Sequence, residues 1–206
     1  MRPLPRSFYS HRTITVAKKL LGKILVRTMG DRILSGMIVE TEAYLYRDPA
    51  SHSFRGMTER NKVMFGEAGH LYVYFTYGMH YCANVVTNRK GRGEAVLIRA
   101  IEPVKGLEVM VKNRNNESDR QIQDHSRGKG EFNLKNLTNG PAKLSQAMGL
   151  TMEQSGIDLL KQEIFITDGE IISRSQIIST PRIGISEAKE KKWRFYIKGN
   201  EWVSKK

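Results

Sequence analysis

The chain has 206 residues, of which 39% are hydrophobic and 27% charged, and its 34 Lys and Arg against 21 Asp and Glu give a net charge of +13 and a pI near 9.9. This length supports one sizeable core, and the composition excludes collagen, chain-wide disorder and a disulfide scaffold. The single cysteine, Cys82, excludes an intramolecular disulfide and a cysteine-rich zinc or iron–sulfur centre, while the charge points to a polyanionic partner.

The opening MRPLPRSFYSHR has no apolar signal core, and no run approaches the roughly eighteen apolar residues of a membrane span. The expectation is a soluble intracellular protein with no membrane partner, in the cytoplasm or nucleoid of a bacterium. In ITVAKKLLGKILVRTM, Val16, Leu20 and Leu21 fall at helix spacing, and Gly22 then turns the chain into the alternating strand KILVRTM. After a polar break at Gly30 to Arg32, ILSGMIVETEAYL alternates again and reads as a second strand. LYVYFTYGMHYCANVV is a hairpin signal, two β-prone aromatic runs flanking Tyr77-Gly78, which places Tyr77 at or near the tip. AVLIRAIEP predicts a strand stopped by Pro103, and GLEVMVKNR a short helix.

From Lys112 to Phe132 the only large apolar residues are Ile122 and Phe132, so residues 112–133 read as a mobile surface segment and not as a domain boundary. TNGPAKLSQAMGL predicts a helix entered through Gly140-Pro141 and closed by Gly149, with Leu144 and Met148 on its buried face. IFITDG, RIGIS and WRFYIKGNEWVS read as short strands joined by turns. The expected fold is α+β: one domain over residues 1–206, with a curved, largely antiparallel sheet flanked by helices and a protruding β-hairpin.

Residues 37 to 100 concentrate the chemistry. Glu42, Tyr44, His52, Tyr74, Tyr77, Asn84 and Arg99 supply a carboxylate, π-faces, an imidazole, an amide and a guanidinium, a set suited to something flat, polar and aromatic such as a nucleobase. Arg99 lies in an otherwise apolar strand, where a guanidinium needs an anionic partner, unless the strand is a surface edge. Glu40 and Glu42 share one face of their strand, so either could serve as a base. Tyr72 and Tyr74 by themselves suit an ordinary aromatic strand face, and Cys82 a small buried apolar site. No P-loop, HExxH helix, GxSxG elbow or acidic cluster for paired Mg²⁺ occurs, and no metal or cofactor is expected.

VETEAY, ASHS, G-x-LYVY, YGMHYCAN, VLIRAIEP with the following GLE, GPAKLSQA and RFYIKGNEWVS occur in this order over most of the chain. In these motifs the chain resembles the alkyladenine (3-methyladenine) DNA glycosylase family. The resemblance implies monofunctional excision of damaged purines from double-stranded DNA by a monomer. Candidate substrates are 3-methyladenine, 7-methylguanine, hypoxanthine and ethenoadenine. It implies Glu42 as the general base, with Arg99 orienting it and the attacking water. Tyr44, His52 and Tyr74 become the stacking walls, and Asn84 the residue that crowds the 2-amino group of guanine. Tyr77, flanked by Met79, becomes a wedge filling the gap left by the flipped nucleotide; its alternative is a tyrosine folded back on the sheet, as that of Asn84 is a strand residue capping a bulge. The approach from Tyr44 to ASHS is shorter than in the longest relatives, which alters the rim near Arg47 and Asp48. Two rivals remain on the residues alone: a catalytically silent module, like the RNA-binding C-terminal domain of methionyl-tRNA formyltransferases, and an RNA-binding structural protein.

Overall fold

The computed structural model describes residues 1–121 and 133–205. Two helices open the chain, α1 (Arg6–Tyr9) and α2 (Thr13–Leu20), followed by β1 (Ile24–Met29) and the long β2 (Arg32–Tyr44). β3 (Leu71–Thr76) and β4 (His80–Val86) form the hairpin, and β5 (Ala95–Lys105) leads into α3 (Leu107–Gln121). Beyond lie α4 (Pro141–Ala147), β6 (Ile164–Thr167), β7 (Ile177–Thr180) and β8 (Arg194–Ile197). The sheet runs β3-β4-β5-β2-β1-β6, with β8 attached to β2 and β7 to β8, and every pairing between these strands is antiparallel. The fold is α+β, with the antiparallel sheet curled and helices packed on it.

β2 organises the site. One edge pairs with β5 from Ser35 to Tyr44; the other is divided between β1, opposite Arg32 to Met37, and β8, opposite Glu40 to Glu42. At the changeover the Ile38 N–H donates to Lys23 O and the Ile38 carbonyl accepts from Gly22 N–H. Gly22 makes that turn at φ +83. α2 places Val16, Ala17 and Leu20 against the sheet, and Leu144, Ala147 and Met148 close the core from α4 and its C-terminal cap. These are the apolar positions that the helical spacing selects.

Two compensating bulges lie where β2 meets β5. The register passes from Ile38↔Ile101 to Glu40↔Ala100, leaving Val39 unpaired, and then to Thr41↔Ile98, leaving Arg99 unpaired. A bulge bends its strand and re-aims a side chain. Here it sets Arg99 facing both strand glutamates.

Three expectations are corrected. β5 does not stop at Pro103 but runs to Lys105; Pro103 lies opposite Gly36, beside a register shift, where a missing N–H is tolerated. The helix after it is not short: α3 continues to Gln121, into the segment read as a surface excursion, and residues 122–132 of that segment lie outside the described residues. RIGIS, residues 182–186, forms no strand but an irregular stretch whose polar groups turn inward onto β2.

Candidate active site

The hairpin turn has left-handed backbone at both central residues, Tyr77 (φ +52) and Gly78 (φ +68), and Met79 N–H donates to Thr76 O. The connection from Thr76 to its partner His80 is three residues, Tyr77 to Met79, and glycine adopts its left-handed backbone at little cost while tyrosine does not. Tyr77 is 81% exposed and Met79 50%. Tyr77 is not folded back on the sheet.

Behind the hairpin a pocket of about 320 Å³ opens between Tyr44, His52, Tyr72, Tyr74, Asn84 and Arg99, with Tyr77 at its edge and Ile183 to Ile185 along one side. It falls at the lower end of the range for ligand pockets, roughly 300–1,000 Å³, which suits one base better than a whole nucleotide. The ring of His52 stands edge-on to Tyr74, with centroids 4.4 Å apart, and its Nδ1 lies 3.1 Å from the Tyr72 hydroxyl. Burial, with Arg60 second, holds the His52 imidazole below its ordinary pKa, which favours the neutral ring. Burial pushes the Tyr72 hydroxyl up to about 12 and raises that of Tyr74 further. Asn84 is buried, lines the pocket, and donates from Nδ2 to Tyr72 O at 3.1 Å. Cys82 is buried at the pocket wall, and burial raises its thiol pKa.

Under the floor lie the carboxylates. Glu42 is fully buried: its Oε1 accepts from Ile183 N–H at 2.8 Å and lies 3.2 Å from Arg99 Nη1, and its Oε2 accepts from the Tyr44 hydroxyl at 2.8 Å. Glu42 does not itself line the pocket, whereas Tyr44, Arg99 and Ile183, its three partners, do. Tyr44 is held in its neutral form by burial first and by Glu42 second. Burial pulls the Arg99 pKa down, but Glu42 and Glu40 more than offset it, so the guanidinium is more firmly protonated than usual.

Glu40 faces the same way but is fully engaged. Its Oε1 accepts from Arg99 Nε (3.0 Å), Arg194 Nε (2.6 Å) and Ser204 Oγ (2.9 Å), and its Oε2 from Ser204 N–H (2.7 Å). Two arginines thus balance two glutamates. Glu42, with three donor groups to the four of Glu40, is the carboxylate whose partners all line the pocket.

A second buried pair supports the first. Asp48, expected near the rim, is buried and binds Arg182 through both carboxylate oxygens, with Nη2 to Oδ1 at 3.0 Å. Arg182 also donates to Ala43 O at 3.1 Å, and its guanidinium lies over the rings of Tyr44 (4.7 Å) and Trp193 (5.2 Å). It anchors the peptide that presents Ile183 N–H to Glu42. Arg182, Arg194 and Ser204 were not singled out from the sequence, and Asp48 was placed at the rim and not in a buried pair; the usable signal was a charged residue beside each apolar or aromatic run, as in PRIGI and WRFYI. Met79 lies outside the pocket wall. Among the described residues, no three His, Cys, Asp or Glu side chains cluster as a metal site requires, and no helix is long and apolar enough to cross a membrane.

The sequence model of the methylpurine-DNA glycosylase family matches residues 7–201. A protein of Carboxydothermus hydrogenoformans is 49% identical over 204 residues, covering 98% of this chain and 99% of its own. One from Clostridium acetobutylicum is 47% identical (98% and 97% covered), and one from Methanoculleus marisnigri 45% identical (98% and 99% covered). Each is provisionally named a 3-methyladenine DNA glycosylase.

Proposed function

The chain belongs to the methylpurine-DNA glycosylase family, and from that premise we propose that it is a base-excision repair enzyme. It turns an alkylated or deaminated purine out of duplex DNA into the aromatic pocket and hydrolyses the bond to deoxyribose, leaving an abasic site in an unbroken strand. The observation that carries this reading is the Glu42–Arg99 pair sealed beneath a pocket walled by Tyr44, His52 and Tyr74.

In the proposed step, water attacks the anomeric carbon, the bond from that carbon to the purine nitrogen breaks, and the bonding pair leaves with the base. Glu42 takes the proton from the water, and its charge offsets the positive charge that develops on the sugar. A base positioned for this contributes about 10²–10⁴ in rate. An N-alkylated cationic purine leaves as a neutral molecule, whereas neutral hypoxanthine leaves as an anion that takes a proton from solvent water. Arg99, 3.2 Å from its Oε1, holds Glu42 aimed. Because Tyr44 and Ile183 cover Glu42 in the free protein, the attacking water reaches it only after the Tyr44 hydroxyl shifts.

Stacking on Tyr44, His52 and Tyr74 replaces what the base loses on leaving the helix, about 1–3 kcal/mol per base. Their π-faces also favour a cationic purine over a neutral one. Asn84 narrows the pocket where guanine carries its 2-amino group. Tyr77, exposed on the hairpin turn and flanked by Met79, fills the vacated space in the duplex. The net charge of +13 draws the protein to phosphates.

The test is incubation with duplex oligonucleotides carrying one 3-methyladenine, 7-methylguanine, hypoxanthine or ethenoadenine, in EDTA, with the released base and the abasic product measured. Free base with an intact strand is expected. Release of no modified base, or strand scission without heat or alkali, would overturn respectively the glycosylase reading and its monofunctional form.

A further inference from the structure

Beside the pocket wall four arginines gather at two adjoining clefts that share Arg89 and Arg92. Tyr46 and Arg47 line one cleft, and Arg12 and Glu94 the other. Glu94 is the only carboxylate lining either, so four guanidinium charges against one leave three positive charges. It is also buried: its Oε2 accepts from Thr13 Oγ1 and from Asn88 Nδ2 (3.0 Å), and its Oε1 lies 3.2 Å from Arg92 Nε. Arg12, Arg47 and Arg89 are exposed, and no acceptor among the described residues bonds their guanidinium groups.

The cluster is shaped as well as charged. The guanidinium groups of Arg47 and Arg92 lie 5.3 and 5.4 Å from the centroid of the half-exposed Tyr46 ring, an arrangement that holds planar cations in fixed orientation. Arg47 (φ +60) and Asn88 (φ +66) occupy left-handed backbone that costs energy in any residue but glycine. The protein core makes no use of Arg12, Arg47 or Arg89, and Arg92 turns only its Nε to the buried Glu94.

The cluster is also fixed to the pocket. Ser53 Oγ donates to Gly93 O at 2.5 Å and lies 2.8 Å from the hydroxyl of Ser51, which lines the pocket, and Gly91 N–H donates to Phe65 O at 2.9 Å. Gly93 is packed so closely that a Cβ there would stand 2.6 Å from Ser53 Cβ and 2.8 Å from the Phe65 ring. Tyr46 follows Tyr44, a pocket wall, by two residues. A base seated in the pocket remains bonded to its sugar and phosphates, so its strand must pass over the rim, and here the rim offers the unbonded guanidinium forks of Arg12, Arg47 and Arg89 beside Arg92. Arginine forks match phosphate oxygens in pairs.

We propose that the Arg47–Tyr46–Arg92 cluster, with Arg89 and Arg12 beside it, grips backbone phosphates of the damaged strand to one side of the lesion. This rests on the glycosylase reading above. It assigns the grip to one flank of the lesion, where a general attraction of a basic protein to DNA would favour neither.

The test is equilibrium binding, by fluorescence anisotropy, to duplexes holding a single reduced abasic site and trimmed on either flank, between about 50 and 200 mM salt. Arg47→Ala/Arg92→Ala should lower the slope of log affinity against log salt by roughly 1.8, about 0.9 for each phosphate no longer neutralised. It should bind about tenfold more weakly at the lowest salt, the gap closing as salt rises. Trimming one flank should weaken wild type and leave the double variant unaffected, whereas Arg47→Lys/Arg92→Lys should restore most of the slope. Arg89→Ala supplies an independent variant should the double one not fold. A slope within about 0.5 of wild type together with unchanged sensitivity to trimming would overturn the inference while leaving the glycosylase reading standing. Wild type that bound no duplex and released no base would overturn both.

Discussion

Asp48→Asn removes one charge and almost no volume, and it should be among the most damaging conservative changes in the chain. Both side chains of the Asp48–Arg182 pair are fully buried. The carboxamide turns one acceptor of the guanidinium fork into a donor, leaving Arg182 with Ala43 O and the faces of Tyr44 and Trp193 as compensation. Lys191 Nζ, 3.9 Å from Asp48, then adds an unopposed like charge. Removing one partner of a buried ion pair costs about 3–5 kcal/mol. For a chain of this size each kcal/mol moves Tm by about 2–4 °C, so the transition should fall by roughly 6–20 °C in scanning calorimetry. Asp48→Leu with Arg182→Met removes both charges, and its Tm should recover most of that loss because apolar replacement of a buried pair is often near neutral. A midpoint for Asp48→Asn within about 2 °C of wild type, or a double variant no better than the single one, would refute the argument.

Glu42→Gln can keep its oxygen toward Ile183 and Arg99 while the Tyr44 hydroxyl rotates to accept from the new amide, so the fold should hold while single-turnover excision drops by at least about 10². Glu40→Gln instead sets an amide among four donors beside two arginines, and chemical denaturation should show it losing about 3–5 kcal/mol of stability; the reverse pattern would exchange the two roles. Tyr77→Ala should weaken excision from paired duplex more than from a bulge or single strand, and equal losses would exclude a wedge. Asn84→Ser should release undamaged guanine slowly, with a selectivity change of about 10–200-fold against guanine; uniform loss on every substrate would make Asn84 a structural residue, as its bond to Tyr72 O also permits. Because burial lowers the His52 pKa, the unfolded chain takes up that proton first as pH falls. Its contribution to stability is therefore full above about pH 6.5 and is lost below it, down through the lowered folded value. The urea midpoint should fall less between pH 7.5 and 5.5 in His52→Gln than in wild type.

The parts of this fold that were legible in the sequence are those written locally. Alternation marked β2, the Tyr77-Gly78 pair marked the hairpin turn, and Gly140-Pro141 marked the start of α4, because each signal lies within a few residues of what it controls. α3 was under-read because Lys112 to Gln121 contains no apolar stripe, and its polar side chains mimic a loop. RIGIS was misread as a strand because its alternation is real, but the donors at Arg182 and Ile183 bond the Ala43 carbonyl, the Glu42 side chain and Asp48 instead of a ladder. The bulges at Val39 and Arg99 leave no trace in hydrophobic pattern, although they decide where the guanidinium points. Proximity of Glu40 and Glu42 was legible; that Glu40 is the more heavily bonded depended on Arg194 and Ser204, more than 150 residues away.

That separation has a consequence for biosynthesis. Glu42 emerges from the ribosome early, yet its backbone donor at residue 183 emerges 141 residues later, and Ser204, which satisfies Glu40, 164 residues later. Arg99 follows soon enough to pair with both acids, but their remaining partners come late, and the Glu40–Glu42 stretch of β2 stays open on its second edge until β8 can dock. A product released early contains the aromatic hairpin and the basic surface but not the clamp around the carboxylates. Its basic surface is therefore complete before the bonds that hold Glu40 and Glu42 in place can form.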